Sequence, residues 1–505
     1  MLNNYLARIS TPSLLLLAPL ILAVAGLFFY WREQKNPRHY PPGPKPQLLS
    51  GNLNDVPNYK PWRTYADWSK LYGPLVHFRI YNMHFVVVNS RELAHAMFER
   101  RSRIYSDRPY VPMLDLLGWF HVNAGFMRYG DEWRRHRRLF QEGFRRESAR
   151  DYLGLQADKV GEFVTNLRKD PEQFMGHIRT LSAAVIMGSL YGHDVSSMSD
   201  PFVSLAENAA ATLAHAQSPV ATLVNLFPFL RHLPLSLPVF AFQRLANQSH
   251  KFLDEMLNVP YSFVKENMKS ETAKPSILAK FLEKHAGNAE DPEQEHVFKC
   301  VSASAYIAGS DTTVSVLGTF FLAMSLYPEV QRKARKEVDA IIGKNTTPNI
   351  EDRPRLPYLE AVFRETLRWS PVAPVGVFKA ASADDVVEGY VIPKGTTIIG
   401  NIWAMTRDET MYPDPESFKP ERFLNDDGTC NEDDVSIAFG FGRRICPGRH
   451  MASATLWMAM TSVLSSFEIG EGKDLSGNEI DIDAVFSDGI ISYCQPFKAP
   501  ITQRT

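Results

Sequence analysis

The stretch FGFGRRICPG, Phe439 to Gly448, decides how this chain is read. It places Cys446 among glycines 440, 442 and 448 and beside Arg443 and Arg444. The 505 residues hold only three other cysteines, Cys300, Cys430 and Cys494, so a disulfide framework finds no support. Cys446 has to be explained by its surroundings. Glycines permit sharp turns and close approach to something flat or bulky, and Pro447-Gly448 opens the apolar helical run MASATLWMAM. A cysteine just ahead of a helix N-terminus meets unpaired N–H groups and the positive end of the dipole, which favours its thiolate. The two arginines suit carboxylates or an anionic partner. On these residues Cys446 is a buried inert thiol, a nucleophile with His450 as base, or a thiolate ligand to haem iron. The third reading explains the glycines, the arginine and the helix together.

Composition narrows the setting. The chain is 45% hydrophobic and 22% charged with a formal net charge of -1, a globular balance without the basic excess of a nucleic-acid binder. The N-terminus departs from it. Leu14 to Trp31 is a run of 18 residues without a charge, about the minimum for a bilayer-spanning helix. Arg8 precedes it and Arg32, Lys35 and Arg38 follow, so the positive-inside rule leaves the rest of the chain in the cytosol. A cleaved signal peptide would have a shorter apolar region ending at small residues, whereas Phe28 to Trp31 is bulky and aromatic. The expected organisation is a tail at 1–12, a single transmembrane anchor at 13–31, a basic and proline-rich hinge at 32–46, and one large catalytic domain at 47–505. Sequons at Asn247 and Asn345 would go unused in a cytosolic domain.

Within that body, Leu75 to Val88 alternates and then runs apolar around Asn82, as a hairpin does, with Ser90 placed to cap the next helix. Patterns from there to about Leu367 are mainly helical. The clearest helix starts at Asp291-Pro292 and can run to Tyr327, where Pro328 interrupts it, long enough to cross the whole domain. Strand chemistry returns in Val387 to Gly400, and one last helix follows Pro447. The expected fold is mainly α with a minor β-sheet.

The pattern Phe439-x-x-Gly442-x-Arg444-x-Cys446-x-Gly448 resembles the haem-binding signature of the cytochrome P-450 family at every position. Ala308-Gly309-Ser310-Asp311-Thr312-Thr313 in the long helix, Glu365-Thr366-Leu367-Arg368, Pro420-Glu421-Arg422-Phe423 and Trp133-x-x-x-Arg137 match further motifs in the family's order. Each is weak alone, but together they span residues 133 to 448. The resemblance implies haem b (iron protoporphyrin IX) with Cys446 as its axial thiolate, Phe439, Gly442 and Gly448 shaping the ligand loop, and Arg444, Trp133 and Arg137 at the propionates. It implies that Thr312 with Asp311 delivers protons to dioxygen. It also implies that Glu365 and Arg368 lock to Arg422 structurally rather than forming a surface pair. Where the family commonly has histidine or arginine, this chain has Lys379, which can meet a propionate only as a point charge.

The resemblance further implies a microsomal, possibly fungal biosynthetic enzyme in the endoplasmic reticulum membrane. No flavin or nicotinamide fingerprint occurs in the chain, so electrons from NADPH are expected through a separate flavoprotein reductase. Arginines 134, 135, 137, 138, 145 and 146 form either a solvated face or its docking surface. The family's recognition segments fall on Met113 to Phe120, Phe202 to Phe240, Ala305, Val372 to Val377 and Ile490-Ile491, all poor in charge, which suits an apolar small molecule. The expected reaction is monooxygenation of a terpenoid, with an aromatic or polyketide metabolite as the alternative. A reductase-independent isomerase or dehydratase is expected to lack the Asp-Thr pair, and a non-enzymatic haem sensor has little need of Thr312.

Overall fold

The computed structural model describes residues 39–217, 219–232, 241–288, 291–470 and 484–504. The tail and anchor expected at 1–31 and residues 32–38 of the hinge lie outside these residues. The described body is mainly helical, with three small sheets. Strands β1 (Leu75–Ile80), β2 (Met83–Val88), β3 (Lys379–Ala380) and β4 (Thr397–Gly400) form the largest, in the order β1-β2-β4-β3. The hairpin β1-β2 is antiparallel, with Phe78 opposite Phe85 and their rings stacked 4.8 Å apart. β2 runs parallel to β4, joining the N-terminal hairpin to the strand region expected near residue 400. Ser90 caps as its position suggests, accepting from the Leu93 N–H at 3.2 Å.

The proline-rich segment forms neither helix nor regular strand, since fixed φ angles and missing donors exclude both. Its described part is packed against the sheet. The His77 N–H donates to the Pro42 carbonyl, Tyr40 stacks on His77, and a Cβ on Gly43 would stand 1.9 Å from the His77 carbonyl oxygen.

Five helices position the site: α1 (Asp131–Phe144), α2 (Phe174–Tyr191), α3 (Pro292–Leu326), α4 (Pro357–Trp369) and α5 (Arg449–Ser466). The 35-residue α3 begins where its sequence signals it, the Asp291 carboxylate accepting from the Glu293 N–H at 3.0 Å with Pro292 in the first turn. Among the described helices it alone is long and apolar enough to cross a membrane, but most of its apolar stretch is buried inside the domain. Burial is interrupted in the middle. Val297 to Tyr306 is largely buried and Thr313 to Ser325 entirely so, whereas Ala308 is exposed and its neighbours from Ile307 to Thr312 are only partly covered.

Glu365 and Arg368 on α4 are both fully buried and paired in two-pronged fashion at 2.6 and 2.8 Å. Arg422 reaches the same carboxylate at 3.3 Å, and the Lys419 N–H donates to it at 2.7 Å. The remaining Arg368 donors take the carbonyls of Thr406, Pro415 and Ser417. A pair so placed is no surface ion pair. Removing one partner strands a buried charge, which costs about 3–5 kcal/mol. Glu365→Ala is therefore expected to lower the urea midpoint of unfolding drastically or to prevent accumulation of folded protein. Asp67→Ala, which removes an exposed partner of Lys70, is expected to leave the midpoint unchanged.

Candidate active site

Cys446 ends a loop built from two short 3-10 turns, Ser436–Phe439 and Gly442–Arg444, just before α5. The loop is closed by the Cys446 N–H donating to the Phe439 carbonyl at 2.9 Å. Phe439 itself is half-buried against the core between α3, α4 and α5. Gly442 has a φ of 58°, and a Cβ there would stand 2.1 Å from the Phe98 carbonyl oxygen. Its N–H donates to Glu99 at 2.6 Å. This glycine thus docks the loop on the π-helical turn His95–Arg100, a contact within the protein rather than the approach to a flat group expected from sequence. Gly448 answers that expectation better, since the space at its Cβ position is open and it lines a cavity together with Cys446.

Burial pushes the Cys446 thiol up, and the Gly448 N–H and the charges of Arg137 and Arg449 only partly offset it. Desolvation and the helix terminus thus act on this sulfur in opposite directions. A metal cation at the sulfur would remove that proton outright.

The cavity beside Cys446 is bounded on its far side by the partly uncovered turn of α3, through Ala305, Ala308 and Thr312. The Thr312 hydroxyl donates to the Ala308 carbonyl at 2.8 Å, the bond a mid-helix threonine ordinarily makes. Asp311, one residue earlier, lines a different and smaller cavity with Arg179 and Glu207. The Tyr493 hydroxyl stands beside it, and burial, then the Asp311 carboxylate, push that phenol up. The two residues expected to act together therefore line different cavities.

Four cations gather near the loop. Arg444 spends its fork on the carbonyls of Ser106, Ala124 and Met127 at 2.8, 3.0 and 2.8 Å, and its guanidinium lies 4.2 Å from the ring centre of the buried Trp133. The Trp133 indole N–H donates to no protein group among the described residues. Arg137 is held down by burial while the Cys446 sulfur pulls it up, and it forms no ion pair among the described residues. Lys379 lies over the Phe98 ring at 5.1 Å. Burial, then Arg108 and Arg444, push its ammonium well below the usual lysine range. Arg108, which the sequence reading missed, is buried and donates to the carbonyls of Gly125, Val377 and Phe378. Its only sequence signal is an Asp-Arg-Pro turn. The nearby acid, Asp107, is already bound by Arg128.

Crowded cations, Arg108 buried and Lys379 and Arg444 half-buried, that share one occupied carboxylate suit an anion. A flat dianionic iron chelate would suit these residues: Lys379, Arg108, Arg444 and Trp133 could hold its carboxylates, and Cys446 could bind its metal. Of the expected pocket segments, only Ala305 lines the cavity at Cys446. Met113, Leu117 and Trp119 are core, and the Trp119 N–H is spent on Thr212 at 3.2 Å. Val377 and Ile490 are exposed.

A sequence model of the cytochrome P-450 family matches residues 41–485. Cytochrome P-450 monooxygenase 208 of Postia placenta is 39% identical over 490 residues, covering 96% of this chain and 94% of the relative. Cytochrome P-450 monooxygenase 176 of the same fungus is 38% identical, covering 92% and 91%. Cytochrome P-450 monooxygenase COX1 of Coprinopsis cinerea is 35% identical, covering 98% of each. Agreement along nearly the whole chain joins the crowded cations, the uncovered turn and the cysteine loop: the chain belongs to the cytochrome P-450 family and is a monooxygenase of fungal type.

Proposed function

We propose that the chain hydroxylates an apolar small molecule, a terpenoid secondary metabolite before an aromatic or polyketide one, using NADPH electrons delivered by a separate flavoprotein reductase. The observation that carries this reading is the apolar cavity between Cys446 and Thr312, whose other walls include Phe140, Val185, Ile186 and Met451; haem would take its Cys446 side and leave the Thr312 side to the ligand. Such a lining orients a ligand by shape and excludes water.

When bound, haem ligated by the Cys446 thiolate supplies dioxygen activation, the thiolate's electron density favouring O–O cleavage. The chain's own residues do the rest. Lys379, Arg108 and Arg444 hold the propionates, and Trp133 adds one N–H donor. Arg137 places positive charge beside the sulfur. The Thr312 hydroxyl, at rest on Ala308, turns to pass a proton into the cavity, and Asp311 in the other cavity takes protons from the side of Arg179 and Glu207.

Two surface features support the expected partners. Arg146, Arg150 and His450 line a crevice flanking α5, and Arg138 on α1 is exposed without an ion pair among the described residues, a basic face suited to an acidic flavoprotein. Leu48, Leu49, Leu71, Phe227 and Phe229 are exposed, and Tyr81 at the hairpin tip touches the Phe227 ring. That apolar surface suits a body resting on the endoplasmic reticulum membrane behind an N-terminal anchor.

Membranes holding the chain, a reductase and NADPH, offered terpenoid and aromatic panels, are expected to yield an NADPH-dependent product heavier by one oxygen atom by mass spectrometry. A rearranged product without added oxygen would overturn the proposed hydroxylation. Cys446→Ala is expected to abolish the thiolate-type carbon monoxide difference spectrum. Lys379→Met is expected to weaken haem retention roughly ten- to a hundredfold, the worth of one charge-assisted bond, by haem content per protein after dilution. Thr312→Ala is expected to keep the spectrum but divert NADPH electrons to peroxide, read as peroxide formed per NADPH consumed.

A further inference from the structure

Four consecutive carbonyls of α3 carry an extra side-chain donor where its burial lapses, two of them served from another helix. The Ser310 hydroxyl donates to Ile307 at 3.4 Å and the Thr312 hydroxyl to Ala308 at 2.8 Å. The next two carbonyls, of Gly309 and Ser310, are both met by the Ser182 hydroxyl of α2, at 3.2 and 2.6 Å. Ser182 is thus the one donor of the set that comes from outside the helix. It is buried, and it also lines the cavity that holds Cys446 and Thr312. The two helices are pressed together at this level, since a Cβ on Gly309 would stand 3.1 Å from Ile186.

A hydroxyl that draws carbonyls sideways competes with the amides one turn later and loosens the ladder locally. The carbonyls drawn toward α2 belong to the turn that separates the Asp311 cavity from the Thr312 cavity, and Ser310 itself lines the Asp311 side.

We propose that Ser182 is a positioning residue for proton delivery: by holding the Gly309 and Ser310 carbonyls toward α2 it keeps the 307–314 turn open, so that the Thr312 hydroxyl can leave Ala308 and protons can cross from Asp311. This rests on the proton-path reading of Thr312 and Asp311 given above. The function assigned is mechanical, acts through Thr312, and requires a hydroxyl at position 182.

The test compares Ser182→Ala, Ser182→Thr and Thr312→Ala in the haem-loaded full chain. Ser182→Ala is expected to retain the thiolate-type carbon monoxide spectrum. Its peroxide yield per NADPH should rise, and amide hydrogen exchange across 307–314 should slow, each by roughly two- to tenfold, the range one neutral hydrogen bond is worth. Ser182→Thr, which keeps the hydroxyl and turns its methyl into the cavity, is expected to restore both. Should Ser182→Ala fail to accumulate, Ser182→Cys supplies a weak donor of similar size for the same readouts. An unchanged peroxide yield in the Ser182 variants beside an uncoupled Thr312→Ala overturns the inference alone. Unchanged coupling in Thr312→Ala overturns the proton path and, with it, the role given to Ser182.

Discussion

The buried carboxylate of Glu365 is the interaction on which the site depends. It neutralises Arg368, and Arg368 then gathers the carbonyls of Thr406, Pro415 and Ser417, so that an irregular segment is held to α4 by backbone rather than by side-chain packing. One turn earlier on the same helix, Arg364 binds the carbonyls of Asn431 and Asp433, and the Asp433 carboxylate is in turn held by Arg91 and Tyr412. The chain leaves this clamp at Val435 and enters the loop that presents Cys446. The loop closes on itself through backbone bonds such as Cys446 to Phe439, and it can hold a ligand in place only if its base cannot move. Buried ion pairs contribute little net stability against apolar isosteres, but here the pair specifies where a long irregular segment lies.

How much of this could be read beforehand follows from the range of the forces involved. The start of α3 at Asp291-Pro292, the hairpin around Asn82 and the Ser90 cap are local: each is fixed by residues within one turn of each other, and each stands where its residues indicate. The cysteine loop, the Glu365 and Arg368 pair and Arg422 were legible through a family resemblance, not through propensity. What escaped is tertiary. Gly442 answers to the Phe98 carbonyl, distant in sequence, and Arg108 answers to carbonyls near residues 125 and 377. The raised Cys446 thiol reflects burial that no window of ten residues displays. Met113, Leu117 and Trp119 belong to the same apolar cluster as the cavity walls Phe140, Ile186, Ala305 and Met451, and apolar pocket and apolar core have the same composition.

The cations near the loop say that the polypeptide is not electrostatically complete by itself. Lys379, Arg108 and Arg444 sit in a buried region whose one nearby carboxylate, Asp107, is committed to Arg128. Burial disfavours their charges and their mutual repulsion adds to it. An anionic prosthetic group that enters here relieves both, so its binding energy is also folding energy for this part of the domain. The departure to lysine at position 379 fits that setting. A point charge on a flexible stem could adjust to a bound carboxylate beside two guanidinium groups already fixed on backbone carbonyls, whereas a third fork would compete with them for those carbonyls.

The long helix then divides the chemistry by geometry alone. Successive residues of an α-helix point about 100° apart, and here that step falls between two cavities, Asp311 lining one and Thr312 the other. Ile307, Ser310, Asp311 and Val314 line one cavity, while Ala308, Gly309, Thr312 and Thr313 line the other. An acid that lines the other cavity stays out of the apolar one, where a charge would be costly and would admit water beside the substrate. Only hydroxyl groups and backbone carbonyls, which are neutral, stand between. A proton could pass such a wall only where the wall's own hydrogen bonds can be exchanged, and the proposed role of Ser182 rests on the competing donors that the carbonyls of Ile307 to Ser310 carry.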